Sequence, residues 1–243
     1  QKALVEGGRL LSLHAYSLLD AAEHEADAEA RERAETLVGF LTPISKACQT
    51  EWSIENTYNA VQCFGGHGYI AEHGMEQYAR DARITTLYEG TTGIQALDLI
   101  GRKTAATQGA GLKLFLAMIE EFAQAHEGDE SLAEFIGPLR AKAAEWGKLT
   151  IATLTRAAAN PEELGAASHD YLFYSGYVVL AYWWARSVAA ADASDRPQAF
   201  KDAKRETARF YFARLLPRTL AHKAAIESGA ASLMSMPAEL FGD

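Results

Sequence analysis

The stretch that decides the fold is "YLFYSGYVVLAYWWA", residues 171 to 185, which carries no charged side chain. A membrane-spanning helix needs about 20 predominantly apolar residues. This run is shorter, contains Ser175 and Gly176, and ends at Arg186. Helices that are apolar on all sides are typical of protein cores. The run therefore predicts a buried helix and no membrane span.

The composition extends this prediction to the whole chain. Only 6 of the 243 residues are prolines, 49% are hydrophobic, and Ala, Leu and Glu are abundant, which favours helices. No segment of useful length alternates in the manner of a strand, and no internal repeat is present. We predict an all-α protein with enough apolar residues for a sizeable core.

The net charge and the cysteine content limit the possible binding partners and the cellular compartment. The formal net charge is -9 and no long run of Lys or Arg occurs, which argues against nucleic acid as a partner. Cys48 and Cys63 lack the spacing of a zinc or redox site. A reduced, cytoplasmic location is the simplest prediction, and the chain does not open with a secretory signal.

The first residues predict a helix whose amphipathic pattern is present from the start of the sequence. Residues 1 to about 24 form an amphipathic pattern with Leu4, Leu11, Ala15 and Leu18 on one face. The chain has no initiating Met, and no capping residue precedes the pattern. We therefore expect the chain to be part of a longer protein.

A second long helix is predicted over residues 36–63. The charged stretch before it, "EHEADAEARERAE" (23–35), is predicted to be a solvated turn and helix entry. The helix is expected to begin near "TPIS", because Pro43 suits a first turn. Its apolar face is predicted to contain Ile44, Ala47, Ile54, Tyr58 and Val61.

A glycine-rich segment and two shorter helices follow. "CFGGHGYIAEHG" (63–74) contains four glycines, which predicts a loop with tight backbone demands. Helices are predicted over "MEQYARDARI" (75–84) and "TTGIQALDLIGRK" (91–103), the latter capped by Thr91 or Thr92.

The pattern changes after Lys103. "TAATQGAG" (104–111) predicts a linker, and the next helix repeats apolar residues at Leu112, Phe115, Leu116, Ile119 and Phe122. Further helices are predicted near 131–159, 162–193 and 197–228, before an irregular tail, "SLMSMPAELFGD". We predict a helical bundle over 1–103, a linker over 104–111 and a second helical domain over 112–243.

"TLYEGTTGIQ" (86–95) places Glu89 between Tyr88 and Gly90. A Glu near a helix N-terminus commonly just stabilises the helix dipole. A glycine-rich loop allows backbone N–H groups to approach an anion such as a pyrophosphate, although close glycines also form ordinary turns. Neither feature indicates a site on its own.

Taken together, "GGHGY" (65–69), "RDARI" (80–84) and "LYEGTTGIQ" (87–95) resemble the C-terminal domain of the acyl-CoA dehydrogenases over Gln1–Lys103. Members of that family are FAD-dependent oxidoreductases of lipid metabolism, and many act in fatty acid β-oxidation. They have an N-terminal helical domain, a middle β-domain and a C-terminal helical bundle, and oxidise the Cα–Cβ bond of an acyl-CoA thioester. The residues beyond 103 resemble the larger branch with an additional C-terminal helical domain, which includes long-chain and 3-methylmercaptopropionyl-CoA dehydrogenases.

The resemblance implies a role for each matching residue. Glu89 is the catalytic base that takes the α-proton, and its backbone N–H binds the thioester carbonyl. Tyr88 lines the acyl pocket, and Gly90 leaves space for the thioester and the flavin. The α-proton is a very weak acid, so the base is expected in a dry site. Positions that match FAD contacts are Gln62, Gly65, Gly66 and Gly68, typically toward the neighbouring subunit, and Thr91 and Gln95 beside the base.

The resemblance also implies an acyl-CoA substrate, an electron-transfer flavoprotein as acceptor, and a homodimer or dimer of dimers. Arg80 and Asp81 match an Arg-Asp pair, for which we favour a structural ion pair over catalysis. His67 and His73 have no third soft ligand nearby, so no metal site is predicted.

Two alternatives remain open. An acyl-CoA oxidase would carry the same motifs and pass electrons to O₂. The other is a helical interaction module that has lost catalysis, although the retained Glu89 and glycine-rich loop argue against it. Some branches of the family place the base on another helix, so Glu89 could be a relic. The N-terminal and middle domains are not in this chain, so the chain alone is predicted to be inactive and to bind FAD weakly. The extension after residue 111 is predicted to cover the substrate entrance or the dimer surface.

Overall fold

The computed structural model describes residues 1–242, and these residues form helices and turns with no β-strand among them. The all-α prediction is confirmed. The α-helices are α1 (Lys2–His24), α2 (Ala28–Phe64), α3 (Gly66–Tyr69), α4 (Met75–Ile84), α5 (Thr92–Leu97), α6 (Ala110–Ala125), α7 (Ala133–Ala159), α8 (Glu162–Asp192), α9 (Gln198–Phe210), α10 (Thr219–Ser228) and α11 (Ala231–Met234).

Helix α8 forms the centre of the protein. Every residue from 171 to 185 is buried, and α1, α2, α5, α7, α9 and α10 pack around it. An all-round apolar surface is stable only when every face has a packing partner, and α8 has them. The predicted buried helix is confirmed, and none of the helices within residues 1–242 is long and apolar enough to cross a membrane.

Close contacts join α8 to the first two helices. The Trp184 indole N–H donates to the Ala3 carbonyl at 3.0 Å. Gly176 lies so close to α2 that a Cβ atom there would be 2.4 Å from Cys48 Sγ. Burial in this contact raises the pKa of the Cys48 thiol far above its usual value.

Helix α2 is also held through its partly exposed side. Arg218, just before α10, donates to both carboxylate oxygens of Glu55 at 2.7 and 2.8 Å and to the Tyr177 hydroxyl at 3.1 Å. This bidentate hydrogen bonding holds the pKa of Glu55 below its usual range, against the opposing effect of burial. The second half of the chain therefore braces α2 from two directions.

The predicted start of α2 was wrong. The helix begins at Ala28, where the Asp27 side chain accepts from the Glu29 N–H at 3.1 Å, and the charged stretch forms its first turns. Pro43 is a buried interior residue rather than a first-turn residue. Proline inside a helix removes one backbone hydrogen bond, and packing of this segment into the core outweighs that loss.

The predicted helix 197–228 is interrupted. Helix α9 ends at Phe210, a π-helical segment (Tyr211–Leu215) and a 3₁₀ turn (Leu216–Arg218) follow, and α10 resumes at Thr219. Pro217 lacks the N–H that a regular helix requires, which explains the change of hydrogen bonding here. In the tail, α11 and a 3₁₀ turn (Ala238–Leu240) replace a fully irregular segment, and Asp243 lies outside the described residues.

The segment between the two predicted domains continues as helix farther than expected. After α5 the chain becomes π-helical over Asp98–Ala105, and a turn with left-handed Gln108 and Gly109 precedes α6. The hydrophobic core extends across this segment, because the Phe40 ring of α2 lies 5.9 Å from the Trp146 ring of α7. The domain division at 104–111 stays a prediction.

Candidate functional site

The turn between α4 and α5 carries Glu89 in an uncommon backbone conformation. Glu89 has φ +55° and Gly90 has φ +90°. A residue with a Cβ atom costs on the order of 1 kcal/mol in the left-handed region. Glycine adopts the Gly90 conformation without steric cost, and a Cβ atom there would lie 2.5 Å from Gln95 Nε2, so the Gln95 side chain would have to move.

Side chains fix this turn from both sides. Lys46 on α2 donates to the Gly90 carbonyl at 2.5 Å, and Gln95 donates to the Glu89 carbonyl at 3.3 Å. Thr91 caps α5 by accepting from the Ile94 N–H at 3.4 Å, which confirms one of the two predicted caps. We refer to residues 88–91 as the Glu89 turn.

A second contact from α2 holds the first turn of α5. The hydroxyl of Thr92, which is buried, donates to the Glu51 carboxylate at 2.5 Å. Through Lys46 and Glu51, α2 therefore holds both the Glu89 turn and the first turn of α5. The turn is a fixed feature of the fold and not a loose surface loop.

The Glu89 side chain is exposed in this structure, and Tyr88 is 49% exposed. A general base for a weakly acidic C–H bond needs a site from which water is excluded. The described residues position Glu89 but leave it in contact with solvent. A dry environment therefore requires further atoms above this face.

The Glu89 turn also presents backbone donors. Within residues 1–242, neither the Glu89 N–H nor the Gly90 N–H has a hydrogen-bond acceptor. Exposed donors on a fixed turn can bind the oxygen of an incoming carbonyl group. The turn therefore offers a carboxylate and hydrogen-bond donors within one short segment.

The segment 63–74, predicted as a loop, is largely helical, because α2 ends at Phe64, α3 covers Gly66–Tyr69 and a 3₁₀ turn covers Ala71–His73. We call residues 65–68, where α2 ends, the glycine loop. Gly65 has φ +61° and terminates α2, and a Cβ atom on Gly68 would lie 2.5 Å from the Val61 carbonyl oxygen. Gly66 is different, because no atom would lie within 4 Å of a Cβ atom there. Gln62 and the first two glycines are exposed. This open backbone has the room that close approach of a phosphate group requires.

The structure does not bring the glycine loop and the Glu89 turn together. The side chains that hold the turn, Lys46 and Glu51, precede Gln62 on α2 by 16 and 11 residues. At 1.5 Å per residue these distances along the helix axis are about 24 and 16 Å. The six positions that match FAD contacts accordingly form two separate groups, with Thr91 and Gln95 beside Glu89 and the other four at the end of α2.

An apolar and aromatic face lies around both groups. A cleft of about 570 Å³ between α2 and α4 is lined by Tyr58, Val61, Tyr69, Glu76, Ala79, Arg80 and Arg83. Within residues 58–97, the large apolar side chains that are at least 48% exposed are Tyr58, Phe64, Tyr69, Tyr78, Ile84, Leu87, Tyr88, Ile94 and Leu97. Such a concentration marks a binding surface. Tyr58, which was predicted to face the core, is 60% exposed, so that prediction was wrong.

The predicted pairing of Arg80 with Asp81 is also corrected. Arg80 lies 3.7 Å from the Glu76 carboxylate one turn earlier on α4. Adjacent helical residues point in different directions, whereas residues four apart share a face. His67 and His73 have ring centroids 5.0 Å apart, and no cluster of three or more metal-binding side chains occurs in the described part of the chain.

Sequence reasoning missed Lys46 and Glu51. Both lie on the stretch of α2 that also contributes Ile44, Ala47 and Cys48 to the core. A charged residue beside a buried helical face is the one signal that could have marked them, and it does not reveal the distant partner. Their contacts with residues 90 and 92 depend on tertiary structure.

Comparison with models of known protein families identifies the family of this chain. A model described as acyl-CoA dehydrogenase, C-terminal domain, matches residues 2–104, and one described as acetyl-CoA dehydrogenase C-terminal like matches residues 115–237. The chain belongs to the acyl-CoA dehydrogenase family. The predicted family membership is confirmed.

Two relatives of this acyl-CoA dehydrogenase chain are longer than it is. It is 36% identical over 196 residues to 3-methylmercaptopropionyl-CoA dehydrogenase of Ruegeria pomeroyi, an alignment that covers 79% of this chain and 33% of the relative. It is 29% identical over 251 residues to butyryl-CoA dehydrogenase of Syntrophomonas wolfei, covering 99% of this chain and 40% of the relative. The chain thus spans between a third and two fifths of the length of these relatives.

A solved structure shares the fold. The Caenorhabditis elegans protein ACDH-11, determined in complex with C11-CoA, matches 86% of this acyl-CoA dehydrogenase chain and 34% of its own length, with a TM-score of 0.72 and 21% sequence identity. The similarity supports the arrangement of helices, including those that follow the Glu89 turn.

Proposed function

We propose that this chain is the C-terminal part of an FAD-dependent acyl-CoA dehydrogenase that oxidises the Cα–Cβ bond of an acyl-CoA thioester. The observation that carries the proposal is the Glu89 turn. It combines an exposed carboxylate, free backbone donors and an aromatic neighbour on a face rich in exposed apolar side chains. Family membership supplies the reaction class.

In this proposal Glu89 removes the α-proton of the thioester and becomes a neutral carboxylic acid. The Glu89 N–H donates to the thioester carbonyl, which stabilises the negative charge that develops on oxygen as the proton leaves. A bound flavin would supply the acceptor for the β-hydrogen and its electron pair, which balances the new double bond. Tyr88 is an aromatic wall for the acyl chain, and Gly90 keeps the space beside the carboxylate free of a side chain.

The residues present fit a flavin dinucleotide in two places. Thr91 and Gln95 lie next to the base, and Gln62, Gly65, Gly66 and Gly68 form the open loop at the end of α2. The family resemblance places the loop against the cofactor of a neighbouring subunit, so we assign the loop to the cofactor of a second copy and the Glu89 turn to the cofactor of its own copy. A homodimer, or a dimer of dimers, follows from this assignment.

The remaining elements of the proposal concern acceptor, substrate and compartment. Electrons leave to an electron-transfer flavoprotein, and the oxidase alternative predicts transfer to O₂ instead. The names of the relatives include butyryl and 3-methylmercaptopropionyl thioesters, which supports acyl-CoA as the substrate class. Free thiols at Cys48 and Cys63 are typical of a reducing compartment, so we place the enzyme in the cytoplasm.

The test is anaerobic flavin absorbance of the full-length protein during addition of acyl-CoA thioesters, from 3-methylmercaptopropionyl-CoA to long straight chains. Bleaching by at least one class is expected and would define the substrate range. Subsequent mixing with air distinguishes a dehydrogenase from an oxidase, because flavin reoxidation is slow in a dehydrogenase and fast in an oxidase. Bound flavin that no thioester bleaches would contradict the proposal and favour a non-catalytic interaction module.

The purified 243-residue chain provides a second test. Its Glu89 turn and glycine loop are exposed to solvent, so we expect weak FAD binding and no turnover. Stoichiometric FAD together with turnover on the isolated chain would contradict this expectation.

A further inference from the structure

Lys46 is connected to the Glu89 turn by one contact that spans 44 residues of sequence. Its ammonium group donates to the Gly90 carbonyl at 2.5 Å, and the side chain is half-buried between α2 and the turn. A charged donor makes a stronger hydrogen bond than a neutral one, and partial burial strengthens it further. No other Lys or Arg lies on α2 between Arg33 and its end at Phe64.

The contact falls at a point where the backbone needs support. Glu89 and Gly90 are consecutive left-handed residues, and only glycine adopts that conformation without steric cost. Gln95 donates to the carbonyl of the Glu89–Gly90 peptide, and Lys46 donates to the carbonyl of the next peptide, Gly90–Thr91. Between them, the two side chains fix the direction in which the Glu89 side chain points.

We propose that Lys46 is a positioning residue for the reaction, which holds the Glu89 turn in its left-handed conformation through the Gly90 carbonyl. This inference rests on the proposed role of Glu89 as the base. Lys46 touches neither substrate nor flavin, and it acts by fixing where the carboxylate of residue 89 lies. Small misplacement of reacting groups lowers rates steeply, by about 100-fold for 1 Å.

Two measurements on the full-length protein test the inference. The first is the limiting rate of anaerobic flavin reduction together with the Kd for the acyl-CoA. Lys46→Met should lower the rate about 10–100-fold, with the Kd changed by less than about threefold and flavin content unchanged. Lys46→Arg keeps a charged donor and should recover most of the rate, whereas Lys46→Gln serves if Lys46→Met does not fold.

The second measurement is amide hydrogen exchange. In Lys46→Met, exchange at residues 88–92 should be at least about tenfold faster, while peptides from α1 should exchange as in the parent protein. The matched control is Lys113→Met, which removes an exposed lysine on α6 outside the site. It should leave rate and exchange unchanged. Equal effects in both variants, or unchanged exchange in Lys46→Met, would overturn the inference.

A double-mutant cycle separates this inference from the proposed function. If Lys46 acts through Glu89, adding Lys46→Met to Glu89→Gln should slow reduction by less than about threefold further. A further loss of the full 10–100-fold would show that Lys46 acts independently of Glu89 and would overturn the inference. Full activity of Glu89→Gln itself would instead contradict the proposed function.

Discussion

Trp184 on α8 and Tyr88 in the Glu89 turn are both large aromatic residues, but their surroundings differ. Trp184 is fully buried and its indole N–H is hydrogen-bonded, whereas Tyr88 is 49% exposed. The neighbours of Trp184 come from the start and the later half of the chain, and they complete its packing. The neighbours of Tyr88 hold the backbone and leave the side chains open. The chain thus contains a fully packed core around α8, whereas the aromatic side chain in the Glu89 turn remains partly exposed to solvent.

The second half of the chain stabilises the helices of the first half. Helix α8 packs against α1 and α2, and Arg218 braces Glu55 on α2, the helix that also carries Lys46. Removal of residues 112–243 would expose this core, so it is expected to unfold the bundle and not only to alter substrate preference. The predicted role of the extension at the substrate entrance or dimer surface stays a prediction.

The largest expected effect on stability contrasts the two aromatic residues. Trp184→Ala should lower the free energy of unfolding of the chain by about 3–5 kcal/mol, because it leaves a cavity in a dense core. Tyr88→Ala should lower it by less than about 1 kcal/mol. Denaturant unfolding monitored by circular dichroism at pH 7 gives both values. Similar losses in the two variants would show that the Glu89 face is as tightly packed as α8.

Two glycines on α8 compare a tightly packed position with an exposed position in one helix. A Cβ atom on Gly176 would meet Cys48 Sγ at 2.4 Å, whereas Gly165 is exposed with open space around it. Gly176→Ala should therefore destabilise the protein by about 1–3 kcal/mol. Gly165→Ala should stabilise it by up to about 1 kcal/mol, since alanine favours helix. The same unfolding experiment measures both, and a stabilising Gly176→Ala would contradict the close packing of α8 on α2.

A hydrogen-bonded cluster around Glu145 on α7, with partners on α7, α8 and α10, is expected to make stability depend on pH. Burial of the Glu145 carboxylate favours its protonation, but hydrogen bonds from Lys142, Lys223 and Tyr174 outweigh burial and lower the pKa of Glu145 to about 2. A lowered pKa contributes stability above the unfolded-state value near 4.5, and that contribution is lost as pH falls from about 4.5 toward 2.

Glu145→Gln should accordingly lower the free energy of unfolding by about 1–3 kcal/mol at pH 7 and by clearly less at pH 3. Urea unfolding at the two pH values measures the difference. The control, Glu35→Gln at an exposed position on α2, should change stability by less than about 0.5 kcal/mol at either pH. A Glu145→Gln effect that is equal at both pH values would contradict the assigned hydrogen bonding.

The sequence predicted the regular part of the fold well. Helices α1, α4 and α8 were expected with nearly their observed bounds, because apolar periodicity or an unbroken apolar run reports directly on burial. The start of α2 was missed because Pro43 was taken for a first-turn residue, although it is tolerated inside the helix. The break at Pro217 was missed because periodicity continues across it.

The candidate site was predictable only in part. The Glu89 turn and the glycine loop were recognisable from short motifs, and their assigned roles stay proposals. Lys46 and Glu51 could not be found, because their partners lie 44 and 41 residues away and no local pattern links them. Tyr58 was misplaced because an aromatic residue at helical spacing looks the same whether it faces the core or a binding surface.

The most direct test of the account is the rate of anaerobic flavin reduction by a bleaching acyl-CoA in the full-length protein with Glu89→Gln. Glutamine keeps the size and the backbone of residue 89 but cannot take the α-proton, so the rate should fall by at least about 10²–10⁴-fold while thioester still binds. Glu72→Gln, an exposed carboxylate near the glycine loop, is the control and should keep the parent rate. A Glu89→Gln enzyme that reduces its flavin at the parent rate would show that the base lies elsewhere and would contradict the account.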